Sequence, residues 1–320
     1  MPVTITAGIT FSGGGLTMEF APPAGPTAGW FGGGYYPGIS TVQRITYATD
    51  TATATTRGPL SSVRYTGGAT GTFTQGWFGG GDTTSNPGVI STVDRITYAT
   101  DTATASIRGP LNSSRNLLAA TGNTTDGWFV GGNTGPAPTS TVQRITYATD
   151  TATASIRGPL GYEQGRMGSV GNTTDGWFAG GSFGTGGNPN SGVQRITYAT
   201  DTATASARGP LTLVMRYSAG AGTSTQGWIA GQADGAPNTN VQRITYATDT
   251  ATASVRGPLS VDVFFLAAST DDTTYGWWGG GLPATSVVQR ITYATDTVTA
   301  SLKGPLTAAK YGAAASSGIQ

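Results

Sequence analysis

Side chains able to do acid–base, nucleophilic or metal chemistry are few in this sequence, and most return at a fixed spacing. There is no histidine and no cysteine among the 320 residues. That removes the commonest general base, the commonest metal ligand and any thiolate nucleophile together. Of the 17 basic residues, six form the series Arg44, Arg95, Arg144, Arg195, Arg243 and Arg290, and six the series Arg57, Arg108, Arg157, Arg208, Arg256 and Lys303. The other five are Arg64, Arg115, Arg166, Arg216 and Lys310. Six of the 16 acids keep step with them: Asp50, Asp101, Asp150, Asp201, Asp249 and Asp296. A catalytic site needs a local, asymmetric cluster of perturbed groups. Charges that recur with a repeat predict structural contacts instead, with the Arg44 series binding carbonyls or the Asp50 series between neighbouring units.

The acids outside that series offer little more. Glu163 lies in Gly161-Tyr162-Glu163-Gln164-Gly165-Arg166, a stretch lengthened by insertion, and Asp271-Asp272 is a carboxylate pair. Both read more simply as solvated turns than as the two carboxylates of a glycosidase. No Asp-x-Asp-x-Asp-Gly loop announces calcium, and the glycine strings open no helix that would cradle phosphate. The expectation is an absence of catalytic, cofactor-binding and metal-binding residues.

The elements carrying these charges are defined by a repeated octapeptide. Arg44-Ile45-Thr46-Tyr47-Ala48-Thr49-Asp50-Thr51 begins again at Arg95, Arg144, Arg195, Arg243 and Arg290, at spacings of 51, 49, 51, 48 and 47 residues. A fixed period in this range marks a solenoid, propeller or array. Each unit reads as four short strands. The first follows Gly-Pro-Leu (Arg64 to Thr72, or Asn116 to Thr121) and is rich in small residues, which suits crowding at an axis. The second is the run Gly29-Trp30-Phe31-Gly32-Gly33-Gly34, with counterparts at Trp77, Trp128, Trp177, Trp228 and Trp277. The third is Val42 to Ala48, with Ile45 and Tyr47 on one face and Val42, Arg44 and Thr46 on the other. A turn at Thr49-Asp50 leads to the fourth, Thr51 to Thr55, which Gly58-Pro59 ends because proline cannot donate to a ladder. The fold class is therefore all-β, a six-bladed β-propeller of four-stranded blades. The chain ends on a lone first strand and the first unit enters at its second. Residues 307–320 are thus expected to complete the blade begun by residues 29–60 and close the ring.

Residues 1–27 fall outside the repeat and are read as an N-terminal arm, with 28–320 as the propeller. Val3 to Thr6 alternates like a strand, Ser12 to Gly15 is a turn, and Leu16 to Phe20 makes a second strand. Met1 to Thr6 has no basic region or apolar run of a signal peptide, and no segment holds the ~20 apolar residues that span a bilayer. The net charge of +1 gives no electrostatic case for nucleic acid or an anionic membrane.

The aromatic-glycine ending of the second strand (Trp30-Phe31-Gly32-Gly33) and the third-strand turn (Val42 to Thr51) resemble the kelch-type repeat over roughly residues 28–320. Kelch units usually carry a tryptophan in the fourth strand; here it precedes the glycines. The near-verbatim unit, its Arg-Gly-Pro-Leu segments and the opening Thr4 to Thr10 are also similar to kelch-like proteins of marine bacteriophages, cyanophages among them. That resemblance implies a virion-associated role rather than a chemistry. Six-bladed sialidases use an arginine cluster with a Tyr/Glu pair, but the Ser-x-Asp-x-Gly-x-Thr-Trp box of that group is missing, and Tyr162-Glu163 stands alone.

What varies between units is the loop from the second to the third strand, and binding usually resides on loops borne by a rigid scaffold. Tyr35, Tyr36, Asp82, Asn86, Phe183, Asn188, Asp234 and Asn238 could stack on and hydrogen-bond a sugar; drift in tolerant connections is the plainer alternative. The expectation is a non-enzymatic structural or adhesion protein of a virion or similar extracellular assembly, made in a host cytoplasm. Its partners would be copies of itself or other assembly proteins, attached through the arm. The alternative is a lectin-like propeller that binds surface glycans, and a glycosidase is the last choice.

Overall fold

The computed structural model describes residues 8–12, 15–19, 26–84, 88–184, 187–233, 238–265, 268–271 and 273–317. Six four-stranded antiparallel sheets follow one another as the blades of a β-propeller. Blade 1 is built from Ala28–Gly32, Val42–Thr46 and Thr55–Arg57, and its innermost strand is Ala314–Ser316 from the other end of the chain. Ala314, Ala315 and Ser316 pair with Gly32, Phe31 and Trp30, and so close the ring. Blades 2 to 6 run from inner to outer strand in chain order, beginning at Gly68, Ala119, Gly168, Met215 and Ala268.

Both faces of every blade pack on a neighbour, which explains the apolar residues on both faces of strands two and three. In blade 1, Trp30 and Val42 join Phe78 and Ile96 of blade 2. Phe31 and Ile45, one and three residues along from them, point the other way to Trp277 and Val288 of blade 6. Period-2 alternation thus sends one set of side chains into each joint. Trp77, Trp128, Trp177, Trp228 and Trp277 are all fully buried.

Three strand boundaries differ from those expected. The third strand stops at Thr46, because Tyr47–Thr49 turns into a 3₁₀ segment, repeated in all six units. This turn lifts Tyr47 out of the ladder and onto the neighbouring tryptophan. The Thr51-Ala52-Thr53-Ala54 run is not a strand; the outer strand is only Thr55–Arg57, while Ala54 is buried and donates its N–H to Pro305 of blade 6. The inner strand of blade 2 is Gly68–Gly71, shorter than Arg64 to Thr72, since Arg64 to Gly67 curve around the channel mouth. At the N-terminus a hairpin pairs Gly8–Ser12 with Gly15–Glu19, and the strand expected at Val3 to Thr6 lies outside the described residues. Among the described residues no helix is long and apolar enough to cross a membrane.

Candidate functional site

Antiparallel blades give the ring two ends. The 3₁₀ turns lie at one end. The loops between strands two and three, together with the approaches to the inner strands, lie at the other; bridges such as Tyr35 to Tyr311, Tyr65 to Asp82 and Gly165 to Ser182 hold those two sets of segments together.

At the 3₁₀ end each joint converges on one carboxylate. Asp101 of blade 2 accepts from the Trp30 indole (2.8 Å) and from Arg44 Nη1 (3.1 Å), and lies 3.4 Å from Arg57 Nε. The same triad meets Asp150, Asp201, Asp249 and Asp296. At the closing joint Asp50 takes Trp277, Arg290 and Lys303. Each indole also stacks on the tyrosine of the next blade, with ring centroids 3.7–4.2 Å apart. The Arg57-Gly58-Pro59-Leu60 segment finishes the joint. Gly58 donates its N–H to the Asp101 carbonyl, and a Cβ at Gly58 would stand 2.0 Å from the Ala103 carbonyl oxygen, so no larger residue fits. The Pro59 carbonyl accepts from Ala105, and Leu60 is buried. Twelve of the 17 cations are held this way.

Three more cations are buried where the chain enters the inner strands. Arg64 pairs with Asp94 at 2.8 Å; burial lowers its pKa and the carboxylate partly offsets that. Arg115 donates to the Gly131 and Thr141 carbonyls, and burial pushes it down to about 10. Lys310 donates to the Phe31 and Gly33 carbonyls, and burial pushes its amine down to about 7. The equivalent positions in blades 4, 5 and 6 hold Gln164, Met215 and Val263, all buried.

Arg166 and Arg216 remain; Arg166 lines the mouth of the axial channel, and Arg216 lies over the Tyr217 ring beside it. Two residues beyond each buried position the chain enters the left-handed region: Thr66, Leu117, Arg166, Tyr217 and Phe265 have φ of 49–63°, and the sixth position is Gly312. These residues ring the mouth of a cavity of about 180 Å³ that runs down between the inner strands, past Thr70, Thr121, Ser169 and Ser316. The ring is not uniform. Backbone N–H bonds run from Thr66 to Gly312, from Leu117 to Thr66 and from Arg166 to Leu117; among the described residues the chain of bonds stops there. On the remaining arc side chains take over. Tyr217 stacks on Phe265 at 3.7 Å, Phe265 meets Tyr311 edge-on at 5.5 Å, and Tyr35 bridges Tyr311 and Tyr65. Arg166 and Arg216 lie over the Tyr217 ring at 5.3 and 5.5 Å. Burial and the Asp82 carboxylate raise the pKa of Tyr65, so that phenol stays neutral and can donate.

The loop residues singled out from sequence are spread around this end. Tyr35 belongs to the aromatic arc. Asp82 lies beside it, bridged to Tyr65 and accepting from Asn116. Tyr36 is 67% exposed. Phe183 packs edge-on against Tyr162, and with Asn188 it closes a small hairpin on blade 4. Asn238 caps its own loop by accepting from the Asn240 N–H. Asn86 and Asp234 lie outside the described residues. Glu163 is exposed on the blade 4 approach. Reasoning from loops missed Arg166, Arg216, Tyr217, Phe265 and Tyr311. The signal was present: the position occupied by Thr66, Leu117, Arg166, Tyr217, Phe265 and Gly312 changes in every copy of an otherwise near-verbatim unit.

The fold defines the class, a closed six-bladed β-propeller. The chain matches no known family model and no curated protein.

Proposed function

We propose that this chain is a non-enzymatic structural and adhesion protein, a kelch-like propeller subunit of a virion or similar extracellular assembly. One observation carries the reading: twelve of the 17 cations and the six acids of the Asp50 series are committed to the joints, while the channel mouth differs from blade to blade. A surface that varies on an invariant frame is how binding is usually presented. The likeness of the repeat to kelch-type proteins of marine bacteriophages supports the virion setting. Residues 1–27, with their glycine-rich hairpin, would attach the subunit to its assembly.

The aromatic arc at the mouth favours a glycan as the surface adhered to. Aromatic rings offer flat apolar faces with polar edges, and a lectin-like role is the second reading. Electron microscopy of the purified chain tests the assembly reading, with rings, fibres or particle decoration expected. Deletion of residues 1–25 should abolish assembly while leaving the melting temperature of the propeller unchanged. A truncated chain that still assembles removes the role given to the arm.

A further inference from the structure

Blade 1 differs from the other five at its 3₁₀ end. In blades 2 to 5 the inner strand turns directly into the second, and a backbone bond pins the turn. Thr72, Asn123, Asn172 and Thr223 donate to the carbonyls of Gln75, Asp126, Asp175 and Gln226 at 2.8–2.9 Å. Blade 1 has no such continuous turn, because its inner strand comes from the other end of the chain and its second strand starts afresh at Ala28. A notch of about 290 Å³ stands there, lined by Pro26, Trp30, Arg44, Thr46, Phe73 and Tyr98. Trp30 is 5% exposed, whereas Trp77, Trp128, Trp177, Trp228 and Trp277, stacked in the same way, are at 0–1%. Phe73 is the one large apolar residue at its turn position, where blades 3 to 6 have Thr124, Thr173, Ser224 and Thr273, and it is 42% exposed. Apolar cover over that ring and the Trp30 edge would be favourable in proportion to the area removed from water.

The innermost strand of blade 1 runs towards this notch. Ser316 pairs with Trp30, shares a hydrogen bond with the Tyr98 hydroxyl at 2.7 Å and donates to the Thr70 carbonyl, and Ser317 is buried. In blades 2 to 5 the residue two beyond the tryptophan pairing makes the turn bond: Thr70 pairs with Trp77, and Thr72 is the donor. The corresponding residue in blade 1 is Gly318. Residues 318–320, Gly-Ile-Gln, lie outside the described residues. We propose that the notch is the seat of this segment: Gly318 donates to the Ala28 carbonyl as Thr72 does to that of Gln75, and Ile319 packs on Phe73 and Pro26. The segment completes without a covalent turn what blades 2 to 5 make with one. The seat adjoins Pro26, where the N-terminal arm runs into the propeller, so it locks the joint through which a pull on the arm reaches the ring.

The chain has no cysteine, so a disulfide placed across the notch has no competitor. Gln320→Cys combined with Thr46→Cys leaves Ile319 and Phe73 in place. On oxidation of the full chain the two thiols should join within one molecule, seen as a monomer on a non-reducing gel with both thiols consumed. Gln320→Cys combined with Thr245→Cys, the same position in blade 5, should stay reduced. Disulfide-linked dimers would give the notch to a second copy. Reaction at blade 5 as fast as at blade 1 would show an unseated terminus, and an unreacted pair at blade 1 an empty notch; each of the three overturns the proposal. Melting curves give an independent reading. Ile319→Ser and Phe73→Ala should each lower the melting temperature by about 2–5 °C, the order expected for uncovering one apolar side chain in a chain of this size. The two together should cost about as much as either alone, because they remove one contact. Additive losses, or an Ile319→Ser chain that melts with its parent, overturn the pairing.

Discussion

At the 3₁₀ end of the ring, Arg44 and Arg57 share the Asp101 carboxylate with the Trp30 indole, and that arrangement recurs at all six joints. At the channel mouth, Arg166 has a serine hydroxyl and the face of a tyrosine, and neither neighbouring blade repeats it. The contrast shows how a repeat protein separates stability from recognition. The acid is buried between blades, so it has to be matched identically each time; an unmatched joint would leave charge without solvent. The mouth is partly open to water, and a mismatch there costs little. It is therefore free to differ from blade to blade.

Breaking one joint should give the largest effect. Asp101→Ala removes the shared acceptor and leaves a buried indole N–H and two partly exposed guanidinium groups without it. A loss of about 3–5 kcal/mol in denaturant unfolding is expected, the range found when one partner of a buried ion pair is removed. A loss below about 1 kcal/mol would mean that the joints are exposed enough for water to replace the acid, and the contrast between the two ends would collapse.

Lys310 extends the comparison to pH. Its amine titrates near 7 when folded against 10.5 unfolded, so between those values the unfolded chain binds more protons. The sign follows directly: stability rises with pH across this window, and the cost of burying the charge is fully present below about pH 7. Lys310→Met, which copies Met215 of blade 5, should stabilise the protein at pH 6 by up to about 4 kcal/mol relative to its effect at pH 10. Melting curves of both proteins at the two pH values measure it. A pH-independent difference would show that the amine stays charged.

Smaller again is the Arg64–Asp94 pair, the only joint-facing acid among the described residues that replaces a glutamine; Gln43, Gln143, Gln194, Gln242 and Gln289 stand at its equivalents. Asp94→Gln should cost about 1–3 kcal/mol, because Arg64 keeps its bonds to the Phe78 and Thr92 carbonyls. The double change Arg64→Met, Asp94→Gln reproduces blade 5 and should recover most of that loss in chemical denaturation. Failure to recover would mean that the pair fixes packing as well as charge.

The propeller was legible in the sequence because its joints demand the same letters six times. Arg44, Asp50, Trp30 and Gly58 each answer a contact that leaves no alternative residue. The strand edges were less legible. Thr51 to Ala54 alternates like a strand, yet Ala54 turns in to pack on blade 6, a tertiary contact with no local signature. The mouth was the least legible part. Left-handed backbone at Leu117, Arg166, Tyr217 and Phe265 is imposed by the curve around the axis and not by the residues themselves, so nothing in their types announces it. The glycine- and asparagine-rich loops, where propensity is readable, supplied the candidates, and among the described ones only Tyr35 and Asp82 lie at the arc.

The smallest effect sharpens the contrast most, because it isolates strain at a single residue. Arg166→Ala and Arg166→Gly both remove the guanidinium. They differ in backbone: alanine keeps a Cβ at φ 63°, and glycine does not. The glycine variant should therefore be the more stable of the two by about 1 kcal/mol, even though glycine also gives the unfolded chain more freedom. At Gly135, where φ is 153° and nothing lies within 4 Å, replacement by alanine is expected to destabilise by a comparable amount with no effect on binding. If Arg166→Gly and Arg166→Ala melt together, the left-handed turn at the mouth is unstrained. The side chains around it would then be there at no cost, and their retention would no longer point to a ligand.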